Sequence, residues 1–257
     1  MDDQIFATTP LDAELRHAID ASLQAGTYLK TLKTHVVQQE IGRDLKLLAD
    51  RESEQIILKA LAPTGLPVLT EETGEHGKQQ GRRWIVDPID GTVNFFRGMT
   101  ELSCISIALW EDETPLLGVV NRFAMDEIYH AVVGYGAFLN DQPLRTSSVT
   151  KLSKAVFSSG YPHAYRFSDE EVLQQLVEYK RYKKIRMLGT ATLMATWVAA
   201  GRLDLYVEEG AMLWDIAAGI ALIEAAGGTT RWKPLQGYQG RIECFANETL
   251  MKAYDKK

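Results

Sequence analysis

The segment Trp84–Phe96, WIVDPIDGTVNFF, constrains this chain more than any other stretch. Its apolar opening, Trp84-Ile85-Val86, reads as a buried strand that delivers Asp87 and Asp90 three residues apart. Pro88 stiffens the exit, and Gly91 permits a backbone angle that other residues avoid. Two carboxylates can then converge on one point. After Gly91 the run TVNFF can open a helix or turn whose free N–H groups, with the Thr92 hydroxyl, would receive an anionic oxygen. The same residues also fit a plain hairpin, because Asp-Gly is a strong hairpin signal, and on this segment alone both readings stand. An EF-hand calcium loop does not fit, since DPIDG lacks ligands at the required alternate positions. DPIDGT is also not the DxDx(T/V) pattern of enzymes that form an aspartyl-phosphate.

Around this segment, helical and strand periods interleave. Leu15, Ile19, Leu23 and Leu29 recur at helical spacing after Pro10, which predicts an amphipathic helix over Leu11–Leu32. A second helix is expected from Asp50 to Leu61, closed by Pro63 and Gly65. Strand-like runs follow at 67–69, 83–86, 102–110, 116–121 and 127–133, and alternation in SCISIAL and GVVNRF predicts strands with one covered face. Beyond these come a strand at 156–158, a helix at 169–179, a strand at 184–187 and a helix at 190–200. Strands at 203–207 and 242–246 then flank a helix over 214–226 that Gly227 and Gly228 terminate. The reading divides the chain into an N-terminal half, 1–145, and a C-terminal half, 146–257, sharing one compact body with a seam near 140–155.

The 257 residues can bury a full core without a metal or disulfide staple. No apolar run approaches the roughly 20 residues of a membrane span, and the acidic start lacks a secretory signal, so the expected location is cytoplasmic. A net charge of −6 argues against nucleic acid or an anionic membrane as main partner. Cys104 and Cys244 each lie in an apolar stretch and read as reduced core thiols. The five histidines show no zinc-ligand spacing, and none is assigned chemistry. The basic group Arg181, Lys183, Lys184 and Arg186 reads as a solvated strand edge.

Two further acidic points bear on the paired aspartates. Glu71 and Glu72 follow the strand PVLT, where a solvated turn is the bland alternative. Asp215 opens the helix carrying Ile216, Ile220 and Ile223, where its bland role is to complement the helix dipole. An all-oxygen set of this kind favours magnesium or manganese over zinc or copper.

The strings LTEET (69–73), WIVDPIDGTVNF (84–95) and LWDIAAGIALIEAAGG (213–228) resemble the signatures of the inositol monophosphatase-like family of lithium-sensitive phosphatases. The likeness continues through DLKLLAD (44–50), GYGAFLNDQPL (134–144) and GTATLMATWVAAGRLDLYVEEG (189–210), so nearly the whole chain is covered in order. It implies a mixed α/β fold, a layered αβαβα sandwich of the inositol monophosphatase/fructose bisphosphatase type, assembled as a homodimer. It also implies two or three magnesium ions per site, with manganese able to substitute. By motif match, Glu71, Asp87 and the Ile89 carbonyl would hold one metal, and Asp87, Asp90 and Asp215 a second. Thr92, oriented by Asp50, would help activate the attacking water alongside Glu71, while Asp90 and the N–H groups of Gly91 and Thr92 would meet the phosphorylated substrate. Glu208 and the Ala191 backbone match positions that contact substrate hydroxyls.

The implied activity is hydrolysis of a small phosphorylated polyol or sugar by direct attack of water. Inositol monophosphate leads, because DGTVNF resembles the form of that branch; histidinol phosphate, fructose 1,6-bisphosphate and 3'-phosphoadenosine 5'-phosphate stay open. A rival of another class is a regulatory protein that keeps the fold and works by association. Two departures from the family pattern stand out: Thr70 replaces the usual Gly before the glutamate pair and Thr73 the usual Ser after it. The AMLW run after Gly210 also differs from several inositol-type members, which touches the leaving-group pocket.

Overall fold

The computed structural model describes residues 9–32, 37–41, 44–162 and 166–256. Residues 1–8, the first part of the acidic start behind the cytoplasmic reading, lie outside them, as do His35 and His163. In chain order the elements are α1 (Asp12–Thr31), β1 (Val37–Ile41), β2 (Asp44–Leu47), α2 (Leu48–Leu61), β3 (Val68–Thr70), β4 (Gly74–His76), β5 (Arg82–Asp90) and α3 (Thr92–Phe96). Then follow β6 (Cys104–Glu111), β7 (Thr114–Arg122), β8 (Glu127–Val132), β9 (Gly136–Leu139), β10 (Gln142–Pro143), β11 (Val156–Ser158) and α4 (Asp169–Glu178). The chain ends with β12 (Lys184–Arg186), α5 (Ala191–Ala199), β13 (Leu205–Met212), α6 (Leu213–Ala225), β14 (Thr229–Gln236), β15 (Gln239–Phe245) and α7 (Glu248–Asp255).

Among the described residues there are two sheets besides the β1–β2 hairpin. One has eight strands in the order β10-β9-β8-β7-β6-β5-β3-β4, the other five in the order β12-β11-β13-β15-β14. Side chains sort the layers. In β6, Ile105, Ile107 and Leu109 join Trp84, Val86, Ala18, Ala25 and Ile57 in a core beneath α1 and α2. The alternate residues Cys104, Ala108 and Trp110 join a second core with Leu193, Val198, Ile216 and Ile220 of α5 and α6. A third core, Phe157, Leu205, Val207, Phe245 and Leu250, lies on the far face of the five-stranded sheet beneath α7. The order is therefore helix, sheet, helix, sheet, helix: the αβαβα sandwich.

Three local outcomes differ from the sequence reading. The strands at 104–122 are covered on both faces, not one, because α5 and α6 occupy the space between the sheets. Correspondingly, α6 buries residues all round rather than along an isoleucine stripe. In α1 the buried face is made of Ala18, Ala21, Ser22, Ala25, Gly26 and Leu29, while Leu23 is exposed. Small residues let the helix lie close on the sheet: a Cβ on Gly26 would come within 2.9 Å of Asn121 and Phe123. The strand β14 and helix α7 had no sequence prediction; most of β14 is half-buried or exposed and shows no alternation. Cys104 and Cys244 are buried and free, as expected, and β12 with its exposed Lys184 and Arg186 is a sheet edge.

Candidate active site

The paired aspartates sit at the end of β5, which runs through Pro88 to Asp90. It lies inside the eight-stranded sheet, antiparallel to β6 and parallel to β3. Its ladder with β6 shifts register between Asp87 and Asp90, and a proline, which has no N–H to give, fits that irregularity. The Pro88 carbonyl instead accepts the Ser53 hydroxyl at 3.0 Å. Asp87 is 1% exposed, and its Oδ1 accepts the Ile89 N–H at 3.0 Å, which fixes the carboxylate. Gly91 has φ 84°, and a Cβ there would lie 2.7 Å from the Leu102 carbonyl, so both angle and space demand glycine. The chain then enters α3, with Phe95 N–H donating to Gly91 O at 2.9 Å, and the hairpin alternative falls away. Thr92 Oγ1 lies 3.2 Å from Asp50 Oδ1 and 3.0 Å from the Ile89 carbonyl.

Strand β3 brings Glu71 to the same place. It pairs with β5 in parallel, Thr70 opposite Val86, so both strands release their acids at the same end of the sheet. The Glu71 N–H donates to Val86 O at 3.3 Å. Asp215 arrives across the inter-sheet space, in the first turn of α6. It also serves the helix end, accepting the Met212 N–H at 3.4 Å. Carboxylate oxygens of Glu71, Asp87 and Asp215 lie within 4.8 Å of one another.

Asp90 stands beside this trio, with its Oδ2 held from the start of α5 by Thr190 Oγ1 at 2.5 Å and Thr192 N–H at 2.6 Å. Ala191, between those threonines, is buried at the start of α5. Glu208 on β13 is buried and accepts the Tyr206 hydroxyl at 2.9 Å. Its carboxylate fills the space where a Cβ on Gly160 would be, 2.0 Å from Oε2.

A family model described as "Inositol monophosphatase family" matches residues 11–247. The chain belongs to the inositol monophosphatase family. It is 43% identical over 224 residues to an inositol-1-monophosphatase of Mesorhizobium japonicum, covering 84% of each chain. It is 36% identical over 196 residues to a fructose-1,6-bisphosphatase/inositol-1-monophosphatase of Thermotoga maritima, 75% of this chain and 73% of that one. The solved inositol monophosphatase of Anabaena (Nostoc) superposes with a TM-score of 0.84 at 30% identity, covering 96% of each. This inositol monophosphatase-family chain is thus an enzyme, a phosphatase, of a metal-dependent family that acts on small phosphorylated substrates. No helix among its described residues is long and apolar enough to cross a membrane.

The electrostatics suit a cation. Burial pushes the Asp87 carboxyl well above the usual range, and the charges of Glu71, Asp90 and Asp215 push it further. Asp215 is raised well above its ordinary value by burial, then by Asp90, Glu71 and Glu208. Asp90 is raised by burial, against the lowering effect of its bonds from Thr190 and Thr192. Glu208 is raised to about 8 by burial and by Asp90, opposed by Tyr206. Converging buried carboxylates repel one another unless they bind protons or a metal, and an all-oxygen set fits a hard divalent ion. The residues present therefore fit the family's metal requirement.

Sequence reasoning missed Ser53, Glu54, Asn94, Thr190, Thr192 and Tyr206. Asn94, in α3, joins that helix to the segment before α5 by donating to Leu102 O at 2.9 Å, Leu188 O at 2.8 Å and Gly189 O at 3.3 Å. Asp50, Ser53, Glu54 and Ile57 share the buried face of α2. Three polar residues on the apolar stripe of a helix were the available signal.

Proposed function

We propose that this enzyme is a magnesium-dependent phosphomonoesterase of small phosphorylated polyols or sugars, with inositol monophosphate its leading substrate. The observation that carries the reading is the convergence of Glu71, Asp87 and Asp215, delivered by two parallel strand ends and a helix start, beside the Thr92–Asp50 pair. Glu71, Asp87, Asp90, Asp215 and the Ile89 carbonyl would hold the magnesium. Bound there, the ion would neutralise phosphate charge and bring water within reach of deprotonation near neutral pH.

The chain's own residues do the positioning. While Thr92 Oγ1 donates to Asp50, its lone pairs are free to accept a hydrogen bond from an attacking water. The N–H groups of Gly91 and Thr92 would serve as donors to the phosphate. On the far wall the Ala191 backbone and Glu208 would meet substrate hydroxyls. Neutral in the metal-free site up to about pH 8, Glu208 can both donate and accept there.

The name of the Thermotoga relative supports a second substrate, fructose 1,6-bisphosphate. Inhibition by lithium and a homodimer belong to the same proposal, supported by family membership. The division into halves 1–145 and 146–257 belongs to it too, supported by the separate strand sets of the two sheets.

The test is phosphate release from inositol 1-phosphate, histidinol phosphate and fructose 1,6-bisphosphate, with magnesium and with chelator. Release that requires magnesium, fastest on inositol 1-phosphate, is expected. Equal rates on all three would defeat the narrow assignment, and release undiminished by chelator would defeat the metal role.

A further inference from the structure

Glu54 is fully buried on α2, two turns from any helix end, on the face that packs against β5. Its Oε1 accepts two hydrogen bonds, from Thr70 Oγ1 at 2.7 Å and from Thr73 N–H at 3.1 Å. Those two residues bracket the Glu71–Glu72 pair. Its Oε2 is buried with no hydrogen-bond partner among the described residues. A buried carboxylate oxygen left in that state costs stability, so core packing alone gives no reason to keep the group. The neighbouring Ser53 grips the other acid-bearing turn through Pro88 O. One turn of α2 thus anchors both the Glu71 turn and the Asp87–Asp90 turn.

We propose that Glu54 is a positioning residue for Glu71: by clasping Thr70 and Thr73 it fixes the turn that carries this carboxylate, and so sets the affinity of the acidic cluster for a divalent cation. This rests on the metal-dependent reading given above. The clasp is a matter of acceptor geometry and not of charge. Thr70 is itself fully buried at the end of β3, so its hydroxyl has no solvent to fall back on when the acceptor is lost. The turn then gains freedom where the metal needs a fixed carboxylate. Partners that orient metal-ligating groups are typically worth 10- to 100-fold in affinity.

The experiment is calorimetric titration of the full chain with manganese alone, paired with thermal melts and with magnesium-dependent phosphate release. Three variants are compared with wild type: Glu54→Leu, which deletes the acceptor; Thr70→Val, which deletes one donor at constant shape; and Glu54→Gln, which keeps an acceptor oxygen. Glu54→Leu and Thr70→Val are expected to weaken manganese binding about 10-fold, and Glu54→Gln to stay within about threefold of wild type. Lower melting points with unchanged manganese affinity would overturn the proposal, leaving Glu54 merely structural. Glu54→Gln as weak as Glu54→Leu would also overturn it, because charge would then be the active property. If Glu54→Leu does not fold, Thr70→Val against Glu54→Gln decides the matter on the same readout. A wild type that binds manganese but releases no phosphate refutes the proposed activity alone, and the variants still judge the clasp. A wild type that binds no manganese overturns the clasp itself.

Discussion

The two walls of the site are built differently. The wall of Asp87, Ile89, Asp90 and Thr92 comes from six consecutive residues, fixed by their own backbone: a strand end, a bulged proline, a left-handed glycine and a helix start. The wall of Thr190, Thr192, Glu208 and Asp215 draws on three separate elements, α5, β13 and α6, and meets the first through hydrogen bonds to Asp90 and from Asn94. The first wall is local and stiff, and the second is assembled by packing. Damage to the first should therefore destroy chemistry, while loss of the groups that hold Asp90 from the second, Asp215 apart, should loosen alignment.

Asp90→Asn tests the first half of that contrast and carries the largest effect. It keeps an oxygen for Thr190 and Thr192 but removes a charge the cations need, and turnover should fall about 100-fold or more with the melting point little changed. Near-normal magnesium-dependent turnover would remove Asp90 from the metal assignment. Gly91→Ala attacks the same wall through its backbone. With φ 84° and only 2.7 Å to Leu102 O, it should cost about 2–3 kcal/mol in a denaturant melt. A neutral result there would show that the turn is softer than the contrast requires.

Two changes sharpen the comparison from the other wall. Thr190→Val removes the hydroxyl on Asp90, and since hydrogen bonds to charged groups contribute about 1.5–3 kcal/mol, kcat/KM should fall about 10-fold or more. An unchanged kcat/KM would mean that Thr192 N–H alone aligns Asp90. The last effect concerns pH and touches stability rather than turnover. Glu208 titrates near 8 in the metal-free fold against an ordinary 4.5, so the folded chain holds a proton that the unfolded chain releases. Its contribution to stability is fully present below pH 4.5 and is lost as the pH rises through about 8. Metal-free protein should melt higher at pH 5 than at pH 8.5, with Glu208→Gln flattening the difference. An equal slope in both proteins would assign the dependence to other groups.

The stiff wall was legible in the sequence because its geometry is local. Apolar WIV, a proline and a glycine fix where Asp87 and Asp90 go with little help from the rest of the chain. The central helices were legible by their periods, and α6 was placed within a residue at each end. The small-residue face of α1 and the double coverage of β6 and β7 were not legible. Whether a face is covered depends on the partner layer, and periodicity reports only that a face is apolar. Strand β14 was missed because its residues carry no alternation to read.

By itself the sequence determined the chain's family membership, its interleaved elements and the acids Glu71, Asp87, Asp90 and Asp215, because each sits in a motif whose order survives without the fold. Only the tertiary structure decided which of these acids converge, that Thr190 and Thr192 hold Asp90, that Asn94 reaches Leu188, and that Glu54 grips the Glu71 turn. The hydrogen bonds among these contacts span from 16 to 102 residues of sequence. No local propensity encodes a hydrogen bond over such distances; it exists because two sheets and the helices between them bury their apolar faces in one arrangement.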